Sequence, residues 1–229
     1  MRKCRVVFLL AIVAAIQSRS LSATLVTIPA GLQPGAEYRL AFVTDFLSQS
    51  KATSSNIADY NAFAISTANK APTLAALATT WSAIASTTTV DARDNTGTNP
   101  FVATGFPIFA LNGSEVAANN ADLWDGILIN PINTSELGVT AANIIWTGTN
   151  AAGIASSPLG SLNPTFGGDN MTSSNWVASG QGDLPSSDFW SLYAISGILT
   201  VPIPEPSSIV LAFLAAAGLP VTALRRRHR

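Results

Sequence analysis

The chain is 229 residues long, 48% apolar and only 11% charged, with a formal net charge of −1 at pH 7. That length accommodates one ordinary domain plus processing segments. Between Thr24 and Pro204 four bases face twelve acids, a net charge of −8, which repels phosphate backbones and argues against nucleic acid as a partner. Cys4 is the only cysteine and His228 the only histidine. The stretch between them therefore has no disulfide, thiolate zinc site, or Cys or His catalytic chemistry, and only the apolar core or oxygen-ligated calcium could staple it.

In chain order, Arg2, Lys3 and Arg5 precede the apolar run Val6–Ile16, and small residues follow at Ser20, Ser22 and Ala23. This is the order of a secretory signal peptide, cleaved after Ser22 or Ala23. A membrane anchor is the alternative, but as a helix the run reaches only ~16 Å against a bilayer core of ~30 Å. Residues 1–23 are therefore expected to leave as a signal and to take Cys4 with them.

Tyr38–Thr44 alternates aromatic and β-branched residues and predicts a strand. Ser54–Asn69 predicts a helix, capped by Ser54 or Ser55, with Ile57, Tyr60, Phe63, Ala64 and Ala68 on one face. A shorter helical stretch, Thr73–Thr79, leads into a strand over Trp81–Ala85. Further strands are predicted at Ile108–Leu111, Ile144–Trp146 and Tyr193–Val201. The interval between the last two is polar and glycine-rich. Helices near the start and strands at both ends predict a single loop-rich α+β domain over residues 24–200.

Within it, Asn119 or Asn120, Asp122 and Asp125 surround Trp124 in a polar loop, an oxygen-rich set that suits calcium, although the spacing is not that of an EF-hand. The competing expectation is that these side chains cap turns. No cofactor beyond that possible calcium is expected. Asp91, Asp94 and Asn95 form a second acidic loop, and Asp183 and Asp188 flank a short polar segment as a conceivable glycosidase pair. Trp81 and Trp146 lie in apolar alternation and are expected in the core. Trp124 and Trp176 lie among polar residues, where one could stack on a sugar face.

The last segment, 201–229, opens with prolines at 202, 204 and 206 around Glu205, which hold the backbone extended. The apolar stretch Ile209–Leu224 follows, ~24 Å long as a helix, and then Arg225, Arg226, Arg227, His228 and Arg229. A short membrane span pinned on the cytoplasmic side by the arginines is expected, as either a processing signal or a plain tail anchor.

Pro204-Glu205-Pro206, the short apolar helix and the terminal arginine run together resemble the PEP-CTERM sorting signal of Gram-negative bacteria. The resemblance implies recognition by exosortase, a membrane transpeptidase-like protease. It also implies transient anchoring in the inner membrane and delivery to the cell surface or the exopolysaccharide matrix.

A second resemblance covers roughly Phe42 to Ser196. It rests on Thr80-Trp81-Ser82-Ala83, Pro107 to Gly113, Ala121-Asp122-Leu123-Trp124-Asp125-Gly126, Asn130-Pro131-Ile132-Asn133, Ile145 to Asn150, and Ser191-Leu192-Tyr193. This pattern is similar to a bacterial lectin-like domain family related to endostatin, and it implies a C-type-lectin-like fold. That family places a cysteine directly after the Leu-Tyr of its last strand, where this chain has Ala194, and the calcium–sugar motifs of C-type lectins do not occur.

Three functions follow as expectations: a non-catalytic surface or matrix protein with a structural or adhesive role, a glycan-binding module with extracellular polysaccharide as partner, or a hydrolase running on carboxylates.

Overall fold

The computed structural model describes residues 24–204. Its organising element is β1 (Glu37–Val43), buried from Tyr38 onward. Tyr38, Leu40 and Phe42 enter one apolar cluster and Ala41 and Val43 the opposite one, so the strand is covered on both faces. It pairs in parallel with β3 (Ile108–Ala110) and antiparallel with β7 (Tyr193–Ser196). β2 (Trp81–Ala83) lies beyond β7, and β4 (Glu115–Ala117) beyond β3.

The strand expected over Tyr193–Val201 is interrupted. β8 (Leu199–Thr200) also pairs with β1, but its register is shifted by one residue relative to β7. The extra residue is accommodated where Gly197 donates its N–H to Thr80 O at 2.8 Å. A Cβ at Gly197 would stand 2.9 Å from Thr79 Oγ1, so the bulge needs glycine there. Across it, Leu40 N–H donates to Ser196 Oγ at 2.9 Å and stays bonded.

α1 (Ile57–Ala68) forms where its apolar spacing predicts, with Tyr60, Ala64, Thr67 and Ala68 buried. Its cap is Asn56, whose Oδ1 accepts from Ala58 N–H at 3.1 Å, rather than Ser54 or Ser55. Ser54 braces the same turn, donating from Oγ to Asp59 Oδ2 at 2.6 Å while Tyr60 Oη donates to Ser54 O at 2.8 Å. The second helical stretch shrinks to α2 (Pro72–Ala75), with proline in the first turn. These two helices contribute Ala64, Ala68 and Leu74 to the cluster on the Phe42 face.

The opposite face is closed by loops and short elements: α3 (Ala92–Asn95), α4 (Asn120–Leu123) and a 3₁₀ turn at Ser174–Trp176. β5 (Ile144–Trp146) pairs with β6 (Phe166–Gly168) in a separate two-stranded ribbon. The result is a mixed, sheet-rich α+β domain with few helices and much loop. Among the described residues no helix is long and apolar enough to cross a membrane. The apolar stretch Ile209–Leu224 and the signal segment 1–23 lie outside the described residues.

Candidate functional site

The acidic loop around Trp124 is built from its own backbone. Asn119 caps α4, its Oδ1 accepting from Ala121 N–H at 2.9 Å and Asp122 N–H at 3.0 Å. Asp122 Oδ2 accepts from Ala118 N–H at 2.6 Å, and Asp125 Oδ1 from Ile127 N–H at 2.8 Å. Asn120 is buried and donates to Ala103 O at 2.9 Å. Asn119, Asp122 and Asp125 thus satisfy a local turn or cap, while Asn120 ties α4 to a segment 17 residues earlier. Among the described residues no group of three acidic, His or Cys side chains is placed to hold a metal ion.

Trp124 does not offer a sugar-stacking face. It is only 7% exposed, its Nε1–H donates to Thr98 Oγ1 at 2.9 Å, and its ring lies 5.7 Å from that of Trp176. The other face is closed by Gly153, where a Cβ would come within 2.8 Å of the indole. Trp176 is fully buried and packs 5.7 Å from Tyr193. Asp125, Ser173, Ser174 and Asn175 beside these two tryptophans are exposed, while the indoles complete the core under the sheet. Trp81 and Trp146 are core residues as expected. The exposed rings are phenylalanines: Phe46, Phe101 and Phe189 are 65%, 85% and 57% exposed. Arg93 and Lys51 lie over the rings of Phe101 and Phe189, at 5.4 and 4.9 Å.

Of the other acidic candidates, Asp91 and Asp94 accept hydrogen bonds through their carboxylates. Asp91 Oδ1 accepts from Ala155 N–H at 2.8 Å, and Asp94 Oδ1 from Asn99 Nδ2 at 2.6 Å. Asn95 donates to Ala83 O at 2.7 Å, tying α3 to β2. Asp183 is exposed, and Asp188 offers its backbone oxygen to Trp146 Nε1 at 3.2 Å.

Two acids that the sequence did not single out are the ones with unusual environments. Asp169, wholly buried, accepts from Asn143 N–H at 2.9 Å through Oδ1, while Oδ2 has no partner. Burial pushes its pKa up to about 6, against the lowering effect of that backbone bond. Burial first, and the Asp169 charge second, drive the Tyr193 phenol well above its ordinary value. Glu136 is equally buried. Its Oε2 accepts from Asp45 N–H at 2.8 Å and its Oε1 has no partner. Desolvation raises its pKa, opposed by backbone bonds and by Ser48. Neither residue lies in a recognisable motif, since burial of a lone acid is decided by distant chain segments.

At the C-terminal exit, Val201 is buried, donates to Ala36 O at 2.9 Å and accepts from Gly35 N–H at 2.9 Å. Pro202, Ile203 and Pro204 follow exposed. Of the expected sorting residues only Pro204 is described. Glu205, Pro206, Arg225, Arg226, Arg227 and Arg229 lie outside the described residues. No family model and no curated protein matches this sequence.

Proposed function

We propose that this chain is an exported, non-catalytic protein of the bacterial cell surface or extracellular matrix, matured at both ends. A signal peptide is removed at the N-terminus, and an exosortase-type enzyme acts on Pro204-Glu205-Pro206 at the C-terminus. The observation that carries the reading is the order of the tail: a proline-stiffened acidic motif, a short apolar span and a terminal arginine run. The exit geometry supports it. The last buried residue is Val201 and the chain is exposed from Pro202, so a protease that needs an extended peptide meets Pro204 clear of the packed domain.

A lectin-like, endostatin-related fold remains the finer assignment. It is supported by pairing of the first strand with the last two and by the long loop-rich interval between β5 and β7. A non-catalytic role is supported by the lack of His and Cys between Thr24 and Pro204, and by Asp122 and Asp125 already engaging backbone N–H groups.

The test is the intact mass of the protein from its native host, in cells with and without the exosortase-type enzyme. Loss of residues 1–23 in both, and loss of the tail only where the enzyme is present, is expected. A tail retained in both would contradict the reading.

A glycan-binding role is the second reading, favoured by the exposed rings of Phe46, Phe101 and Phe189, since aromatic faces can stack on sugar rings. Binding to the host's own exopolysaccharide that is lost in a Phe101→Ser, Phe189→Ser double variant would support it. Equal binding by the variant would contradict it.

A further inference from the structure

The first described residues are fixed in place. Val26 N–H donates to Leu111 O at 2.8 Å, and Thr27 O accepts from Tyr38 Oη at 2.6 Å. Leu25 packs against the cluster that holds Tyr38, Leu40 and Leu74. Thr24 is exposed and lies one residue ahead of this anchored stretch.

That position is the wall of a cavity of about 340 Å³ shared with Lys70, Pro72, Glu136 and Leu137. Glu136 is 0% exposed, and its Oε1 has no hydrogen-bond partner. A buried carboxylate oxygen without a partner is costly, and the usual remedy is a cation. Lys70, the base on this wall, donates its Nζ to Ser48 Oγ at 2.9 Å. Asp45, beside Glu136, adds further negative charge. Ser48 in turn bonds the Glu136 side chain, so among the described residues Lys70 reaches the carboxylate only through that hydroxyl and no cation donates to Oε1 directly.

We infer that the missing donor is the chain's own α-ammonium, created when the signal is cut after Ala23 and Thr24 becomes the first residue. Before cleavage the Thr24 nitrogen is a neutral amide. After cleavage it is a cation with three donors, at the mouth of a cavity walled by an unpartnered carboxylate. Signal removal would then complete the fold, so that the exported form is more stable than its precursor. This rests on the signal-peptide reading, but not on the tail.

The pairing is tested on protein made outside the export pathway, so that a wrong cleavage site and a wrong pairing are told apart. The chain from Thr24 to Arg229 is compared in detergent with the same chain carrying Gly-Ser-Ala ahead of Thr24, each also as Glu136→Gln. Glutamine keeps the acceptor for Asp45 N–H but removes the charge. The extension is expected to lower the melting temperature by about 2–4 °C in the native sequence and by nothing measurable in Glu136→Gln. The unmodified Thr24 α-amine, followed through the ¹³C NMR shifts of selectively labelled Thr24, is expected to titrate above the ordinary range of about 7.7–8.0, and to return to it in Glu136→Gln. Lys70 and Asp45 also face the site, so the titration is repeated in Lys70→Met, where the raised value is expected to persist. Equal melting of native and extended chains, or an amine that titrates normally, would overturn the inference. N-terminal sequencing of the exported protein separately decides whether Thr24 is the residue exposed in cells.

Discussion

Asp169 is the residue with the clearest pH signature. Its folded pKa, about 6, lies above the ~3.9 of an unfolded chain, so the folded state binds the extra proton between those values. The contribution is full below about pH 4 and is lost as pH rises through about 6. At neutral pH the ionised carboxylate is a burden. Asp169→Asn keeps an oxygen for Asn143 N–H and removes the charge, at the expense of an amide N–H without a partner. It is expected to stabilise the protein by about 1–2 kcal/mol at pH 7 and by little at pH 4. Urea melts at the two pH values check this, and equal effects at both would contradict it.

The acidic loop behaves differently. Because Asn119, Asp122 and Asp125 already accept from backbone N–H groups, calcium has no preformed cage there. Millimolar calcium or a chelator is expected to move the melting temperature by less than about 1 °C. Asp122→Ala is expected to cost about 1 kcal/mol through the lost bond to Ala118. A chelator-sensitive rise of several degrees would show that the loop is a calcium site.

Elements show where sequence reading succeeds and where it stops. β1 and α1 are long enough for their periodicities to register, and both form within a few residues of where they are predicted. β4 and β6 are as short as β5 but lack its run of β-branched and aromatic residues, and β6 is Phe-Gly-Gly, which reads as a turn. Gly167 is explained only by packing, since a Cβ there would stand 2.1 Å from Trp176 O. Trp124 and Trp176 are buried for a related reason. Polar sequence neighbours describe the loop around an indole, but not what its ring meets across the fold. Glu136 and Asp169 were invisible for the same cause.

Gly148 gives the element-scale prediction. It has φ +61°, and a Cβ there would fall 2.5 Å from Leu159 N and 2.6 Å from Ser86 O, two atoms bonded to each other at 2.9 Å. Gly148→Ala would wedge open that link between the segments after β2 and before β6. It is expected to cost about 3–5 kcal/mol from backbone strain plus a broken buried bond. Gly182 has φ +85° with nothing within 4 Å, so Gly182→Ala is the control and is expected to cost about 1 kcal/mol. Equal costs in chemical denaturation would contradict the packing argument.

At the scale of the whole molecule, the chain from Thr24 to Pro204 carries a net charge of −8 and no cysteine, so its fold is held without disulfides. Its core is drawn from three adjoining apolar clusters. Reducing agent is therefore expected to leave the melting temperature of the mature protein unchanged. The central claim is that Pro204-Glu205-Pro206 is a processing signal and not the start of a plain anchor. Glu205→Ala tests it most directly. The substitution leaves the apolar stretch Ile209–Leu224 and the arginines untouched, so membrane insertion is preserved, while the one charge in a proline-stiffened segment is lost. Pulse-chase in cells that mature the native protein is expected to show the variant accumulating as a larger, membrane-bound form. Maturation and release of Glu205→Ala at the native rate would contradict the account and leave a plain tail anchor in its place.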